Sequence, residues 1–174
     1  KKYAKLYFTS LRGDSLQKTE EVYSLNYYNK LFEANLLDNT LAPLFETNEH
    51  TGNGCFSLDG KRFYYSVCSS ENAKFKCKIA VRSFLNNKWG DSQYLGEIIN
   101  SPDATNTTMP NIGNMDGKEV LFFASNRKES IGGLDIFYSE IKNGQQFNKP
   151  KAIKSINSID DEITPFWDEK SKTL

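Results

Sequence analysis

A single imidazole is available for acid–base or nucleophilic chemistry, that of His50 in Glu49-His50-Thr51-Gly52. A Ser-His-Asp triad would have to use it, and no G-x-S-x-G turn is present to offer the serine. Zinc binding would need thiolate partners, but Cys55, Cys68 and Cys77 carry no C-x-x-C spacing. His50 therefore reads as a loop histidine between structural units. Cys68 and Cys77 end and begin two expected strands with a loop of eight residues between them. Hairpin geometry can bring their Cα atoms within the ~4.4–6.8 Å of a disulfide; a Cys68–Cys77 bond and two partly buried thiols both fit. Cys55 reads as a small core residue. Asp160-Asp161-Glu162 offers oxygen ligands, yet the D-x-[DN]-x-[DN]-G calcium loop is missing, so a turn is expected there. Asp135 follows Gly132-Gly133 and is expected to accept backbone N–H bonds, with Arg12 or Arg127 as a charged partner. No G-x-G-x-x-G or Walker sequence makes the glycine pair a phosphate cradle. Neither a metal nor a cofactor is expected.

The elements that would position these groups are short. The 174 residues include 17 Asn, 11 Gly and 5 Pro, and aromatic residues make up 13%. Apolar clusters such as Leu6-Tyr7-Phe8, Phe63-Tyr64-Tyr65, Val120-Leu121-Phe122-Phe123 and Ile136-Phe137-Tyr138 are bounded by turn formers. That pattern predicts short buried strands. The best helical stretch, Glu20 to Phe32, fits a strand followed by a turn at Asn29-Lys30 at least as well. Lys+Arg and Asp+Glu are both 22, so the formal net charge is zero, and mean hydropathy is −0.60. A neutral chain lacks the basic footprint that nucleic acid requires. No apolar run reaches the ~18 residues of a membrane span, and the opening KKYAKLYFTS has no signal-peptide apolar core.

Self-similarity organises these strands. Gly60-Lys61-Arg62-Phe63-Tyr64-Tyr65 aligns with Gly117-Lys118-Glu119-Val120-Leu121-Phe122 at an offset of 57, and Asn100-Ser101-Pro102-Asp103 with Asn157-Ser158-Ile159-Asp160 at the same offset. Trp89 lies 57 after Phe32 and 58 before Phe147; Leu6 to Arg12 lies 115 before Leu121 to Arg127. Leu58-Asp59-Gly60-Lys61 and Met115-Asp116-Gly117-Lys118 are the same turn, with Gly supplying a positive φ. A repeat of several short strands at this length suggests propeller blades.

Four strands are expected per unit. The first covers Gly54–Ser57, Thr108–Gly113 and Ile163–Trp167. The second covers Lys5–Ser10, Arg62–Cys68 and Glu119–Ser125. The third covers Glu21–Asn26, Cys77–Ser83 and Leu134–Ile141. A weaker fourth covers Leu36–Leu41, Gln93–Ile98 and Lys151–Ile156. The fold class expected is all-β: a β-propeller segment of about three four-stranded blades, with units 1–53, 54–107 and 108–162 and a further blade starting at 163–174. Three blades leave open edges, so the chain is expected to be part of a larger propeller.

The pattern resembles the TolB-like, WD-like propeller repeats of bacterial envelope proteins. The residues that carry the resemblance are Cys55-Phe56-Ser57-Leu58-Asp59-Gly60-Lys61, Leu121 to Arg127, Gly132-Gly133-Leu134-Asp135-Ile136-Phe137, and Ile156 to Phe166. Leu58 stands where the family has Pro, and Lys76-Cys77-Lys78-Ile79 stands in place of the family's Gly-Gly-x-Asp step. The resemblance implies a non-enzymatic scaffold of the periplasm or outer membrane. Similar repeats occur in Bacteroidetes proteins with OmpA-like or tetratricopeptide domains that serve type IX secretion and gliding. Expected partners are other envelope proteins and further blades of the same propeller, with no nucleic acid and no membrane insertion. The alternatives are a glycan- or peptidoglycan-binding propeller and a propeller attached to a hydrolase. The expected inner strands carry no carboxylate pair for glycoside hydrolysis. The side chains nominated for binding are Asn111, Arg127, Asp135 and Trp167, with Trp89 and Phe147 read as packing residues in one repeat slot.

Overall fold

The computed structural model describes residues 4–11, 28–71 and 74–174, and among them the chain is all-β. It forms three antiparallel sheets in chain order. The first joins β1 (Lys5–Ser10), β2 (Lys30–Asn35) and β3 (Thr40–Pro43). The second runs β4 (His50–Phe56), β5 (Arg62–Glu71), β6 (Lys74–Leu85) and β7 (Lys88–Trp89), with β8 (Gln93–Tyr94) also on β6. The third runs β9 (Thr107–Met115), β10 (Lys118–Ser125), β11 (Asp135–Lys142) and β12 (Gln146–Phe147), with β13 (Lys151–Ala152) also on β11. The expected Glu21–Asn26 strand and Arg12 lie outside the described residues.

The second and third sheets share one plan. Each has a first strand, an Asp-Gly turn, two long central strands, and a two-residue strand beyond the next turn. Asp116 and Gly117 both have positive φ (53° and 77°) and close a two-residue hairpin between Met115 and Lys118. At the matching turn of the second sheet Gly60, and not Asp59, has positive φ (68°), and Ser57 closes a wider loop by donating its backbone N–H to the Arg62 carbonyl at 2.9 Å. Each first strand breaks register once, between Gly52 and Cys55 and between Thr108 and Asn111. The residues at the breaks, Asn53 and Met109, have φ of 48° and 55°. Thr164 repeats that conformation at 54°.

The unit ends are equally alike. Ile99 and Asn100 donate their backbone N–H groups to the Gly96 carbonyl, as Ile156 and Asn157 do to Ile153. The Asn100 side chain accepts from Ile79 N at 2.8 Å and donates to Ile79 O and Leu95 O at 2.9 and 2.7 Å. Asn157 accepts from Ile136 N at 2.9 Å and donates to Ile136 O at 3.0 Å. The repeated asparagine is therefore a clamp that ties the ends of the second and third units to their third strands.

Several expected boundaries are corrected. Leu36–Leu41 is a turn followed by β3, because Asn35 Oδ1 accepts from Leu37 N and Asp38 Oδ1 from Thr40 N, local bonds that displace a ladder. The turn expected at Asn29-Lys30 is instead the start of β2. Phe32 on β2 and Trp89 on β7 are not equivalent, whereas Trp89 and Phe147 both sit on the short strand after the third strand. β8 and β13 stop early because the 96–100 and 153–157 turns follow them. Residues 163–167 join no ladder among the described residues.

Aromatic alternation fills both spaces between sheets. Tyr64, Leu121, Phe123 and Phe137 share one core between the second and third sheets. Phe63, Tyr65, Phe45 and Leu31 share another between the first and second. Successive residues of β5 therefore serve opposite cores, as the period of two requires.

Candidate functional site

Three side chains fasten the chain that follows a unit to the start of that unit's third strand in one way. His50 Nδ1 accepts the backbone N–H of Asn29 at 3.2 Å. Asn106 Oδ1 accepts that of Cys77 at 3.0 Å, and Asp161 Oδ1 that of Leu134 at 2.6 Å. Each acceptor precedes or opens a first strand, and each donor lies at the start of the preceding third strand. His50, Asn106 and Asp161 recur at steps of 56 and 55 residues. An acceptor at Nδ1 places the neutral ring's proton on Nε2. The same ring stands edge-on to Phe75 and Tyr28, at 5.3 and 5.2 Å between centroids. His50 is thus a structural acceptor in a slot that asparagine and aspartate fill elsewhere. The offset near 57 contained this signal, but the three residue types differ, so residue matching missed it.

Beside this slot the three sheets meet around a cavity of about 340 Å³. Thr9, Asn53, Met109 and Leu134 line it, together with Cys68 and Cys77. Those two cysteines face each other in register on β5 and β6 and are joined in a disulfide, with Cα atoms 4.1 Å apart. Cys55 is a free thiol. Burial pushes its pKa up to about 12, which keeps it protonated and unreactive at neutral pH. The walls of the cavity are mainly methyl groups, sulfur and ring edges. They suit an apolar side chain and provide no acid–base pair. A second cleft, of about 520 Å³, includes Glu49, Lys78, Tyr94 and Asp103. There Tyr94 is half-exposed, donates its hydroxyl to Glu49 Oε1 at 3.2 Å, and has Lys78 Nζ 5.9 Å from its ring centre.

No protein-family model and no curated protein matches the chain.

The four nominated side chains fall in two places. Asn111 Oδ1 accepts the backbone N–H of Trp167 at 2.9 Å, and the indole stacks on Phe122 at 5.5 Å with an interplanar angle of 11°. Gly113 lies directly beneath the indole, where a Cβ would meet Trp167 Cγ. Asp135 is fully buried and accepts from Ile131 N and Gly132 N at 2.9 and 3.4 Å. Arg127 is not its partner. The Arg127 guanidinium donates to the carbonyls of Ile98 and Ile99 and lies over Phe123 and Phe137, 5.1 and 5.0 Å from their centres. It therefore ties the turn ending the second unit to the core of the third. Asp160-Asp161-Glu162 is a turn in which Glu162 accepts from Ser158 and Asp161 from Leu134. Among the described residues no group of three His, Cys, Asp or Glu side chains is placed to hold a metal.

Two exposed apolar side chains stand beside the Asp160-Asp161-Glu162 turn. Ile159 is 82% exposed and Ile131 is 56% exposed. They lie on touching loops, joined where Gly133 N donates to the Asp160 carbonyl at 3.3 Å.

Proposed function

We propose that this chain is a segment of a β-propeller acting as a non-enzymatic protein-interaction scaffold in a bacterial cell envelope, in or beside a secretion, gliding or outer-membrane assembly. The observation that carries this reading is the recurrent bond of His50, Asn106 and Asp161 to the preceding third strand, which crosses between sheets at His50 and Asn106. A propeller needs each blade to meet the next by the same operation, and a bond repeated at nearly constant steps is what such an operation leaves in the sequence. The same bond supports the non-enzymatic part, because it occupies the one imidazole. The Cys68–Cys77 disulfide supports an oxidising compartment such as the periplasm. Ile131 and Ile159 offer the contact surface, an apolar pair of the kind a protein partner covers. The test is crosslinking capture from Gram-negative envelope extracts with the native chain and with Ile159→Asp. One protein recovered by the native chain and lost with the variant supports the scaffold. Equal recovery by both removes the proposed surface.

A second reading has an observation of its own. The half-exposed Tyr94, flanked by Glu49, Asp103 and Lys78, is an aromatic platform with polar groups around it, the composition of a saccharide site. Retention of the native chain on peptidoglycan, lost on Tyr94→Ala, would favour that reading over the first.

A further inference from the structure

The repeat changes at one turn. β7 follows β6 after two residues, with Leu85 opposite Lys88, whereas β12 follows β11 after three, with Lys142 opposite Gln146. Asn143 and Gly144 keep the positive φ of Asn86 and Asn87 (49° and 69° against 50° and 60°), so the added residue is Gln145. The longer turn reaches the start of β5. Gly144 lies against the Arg62 guanidinium, where a Cβ would collide with Nη1.

At this turn the second and third sheets part around a cleft of about 350 Å³, with both walls inside this chain. Its apolar lining comes from Val81, Leu95 and Ile98 on one side and Phe147 on the other. Leu95 is buried and Ile98 is 44% exposed. Arg62 is the one charged residue that lines it, and that charge is already answered. Nη2 donates to Glu119 Oε2 at 3.1 Å, and Nη1 is buried against Gly144 with no acceptor. Ser83, Gln93 and Gln145 also line the cleft, and their side chains form no hydrogen bond among the described residues. The cleft therefore combines an apolar floor, unspent amide groups and no free charge, the composition of a site for an uncharged ligand.

We infer that this cleft binds an uncharged peptide segment of a partner protein, with an apolar side chain on Leu95 and Phe147 and the flanking peptide groups on the Gln93 and Gln145 amides. The inference rests on the scaffold reading and gives it a contact separate from Ile131 and Ile159. A glutamine amide donates and accepts at once, as a peptide group does, so the two pair without leaving either half unanswered. An acidic or basic side chain would enter without a counter-ion and lose its hydration. Tyr94 borders this cleft as well as the one at Glu49, so a saccharide is the competing occupant.

Titration of the full chain with N-acetylated, C-amidated tripeptides tests this, with the Gly96 and Gly144 amide resonances as the readout. The probes are Gly-Leu-Gly, Gly-Asp-Gly, Gly-Lys-Gly and the N-acetylglucosamine trimer. The leucine peptide is expected to shift both resonances at millimolar concentration, and each charged peptide to bind at least about tenfold more weakly. Gln93 and Gln145 are exposed, so the Gln93→Ala, Gln145→Ala double variant keeps its fold; it is expected to weaken the leucine peptide about tenfold. Ser83→Trp fills the cleft and is expected to abolish the response. No shift up to about 10 mM, equal shifts with the charged peptides, a response to the saccharide alone, or full binding by the double variant overturns the inference. Crosslinking capture from envelope extracts separates it from the scaffold reading. A partner held as firmly by the double variant as by the native chain, and lost with Ile159→Asp, leaves the scaffold standing while the cleft falls. No partner and no peptide response sink both.

Discussion

Replacing Asn100 by alanine removes three hydrogen bonds from the clamp that closes the second unit. The side chain is buried and bonds Ile79 N, Ile79 O and Leu95 O at 2.7–2.9 Å. Ile79 is itself fully buried, so its N–H is left with no water to replace the lost acceptor. Its carbonyl keeps the bond from Leu95 N at 3.0 Å. Net losses near 1 kcal/mol per bond, and ~1–3 kcal/mol for an orphaned buried donor, place the cost at about 3 kcal/mol. For a domain of this size that lowers Tm by roughly 6–12 °C. Asn157→Ala removes two bonds around a more exposed side chain and should cost about 1–2 kcal/mol. Urea unfolding followed by tryptophan fluorescence and by circular dichroism measures both. A cost below about 1 kcal/mol for Asn100→Ala, or a larger cost for Asn157→Ala than for Asn100→Ala, would refute the reasoning.

Three further expectations follow from single residues. His50→Asn should keep the stability of the native chain, because asparagine fills the same slot at Asn106, while His50→Ala should cost about 1 kcal/mol in urea unfolding. Cys55 should resist a disulfide-exchange reagent at pH 8 in the folded chain and react at once in denaturant; rapid native labelling would show an accessible thiol. Burial, with Glu33 beside it, pushes the Tyr7 phenol up to about 12, and burial pushes Tyr64 higher still. A phenol with its folded pKa above the unfolded value near ~10 stabilises the fold fully below that pH and loses the contribution as pH rises through the folded value. Stability should therefore fall between about pH 10 and 12, and Tyr7→Phe should reduce the fall; a flat profile across that window argues against the buried phenol.

The sequence was most informative where the period of two and turn chemistry coincided. Lys5–Ser10 is the strand its residues predict, and the Asp-Gly turns lie where the repeat places them. It was least informative where hydrogen-bond capacity, not residue identity, recurs. His50, Asn106 and Asp161 share a role because each presents an acceptor to a backbone N–H, and no residue alignment groups them. Asn35 and Asp38 misled in the other direction, since their side chains turned an expected strand into an Asx-type turn. The Asn100 and Asn157 offset marked the repeat, yet the clamp they form follows only from the path of the third strands. Arg127 and Asp135 are close in sequence and opposite in charge, but backbone carbonyls and backbone N–H groups engage them separately.

The measurement that bears most directly on the scaffold reading is quantitative crosslinking capture from envelope extracts, with the native chain, Ile159→Asp and Tyr94→Ala run in parallel. Recovery of one and the same envelope protein by the native chain and Tyr94→Ala, with loss on Ile159→Asp, is the predicted result. No protein above background, with retention on peptidoglycan that Tyr94→Ala abolishes, would contradict it and assign the chain to saccharide binding.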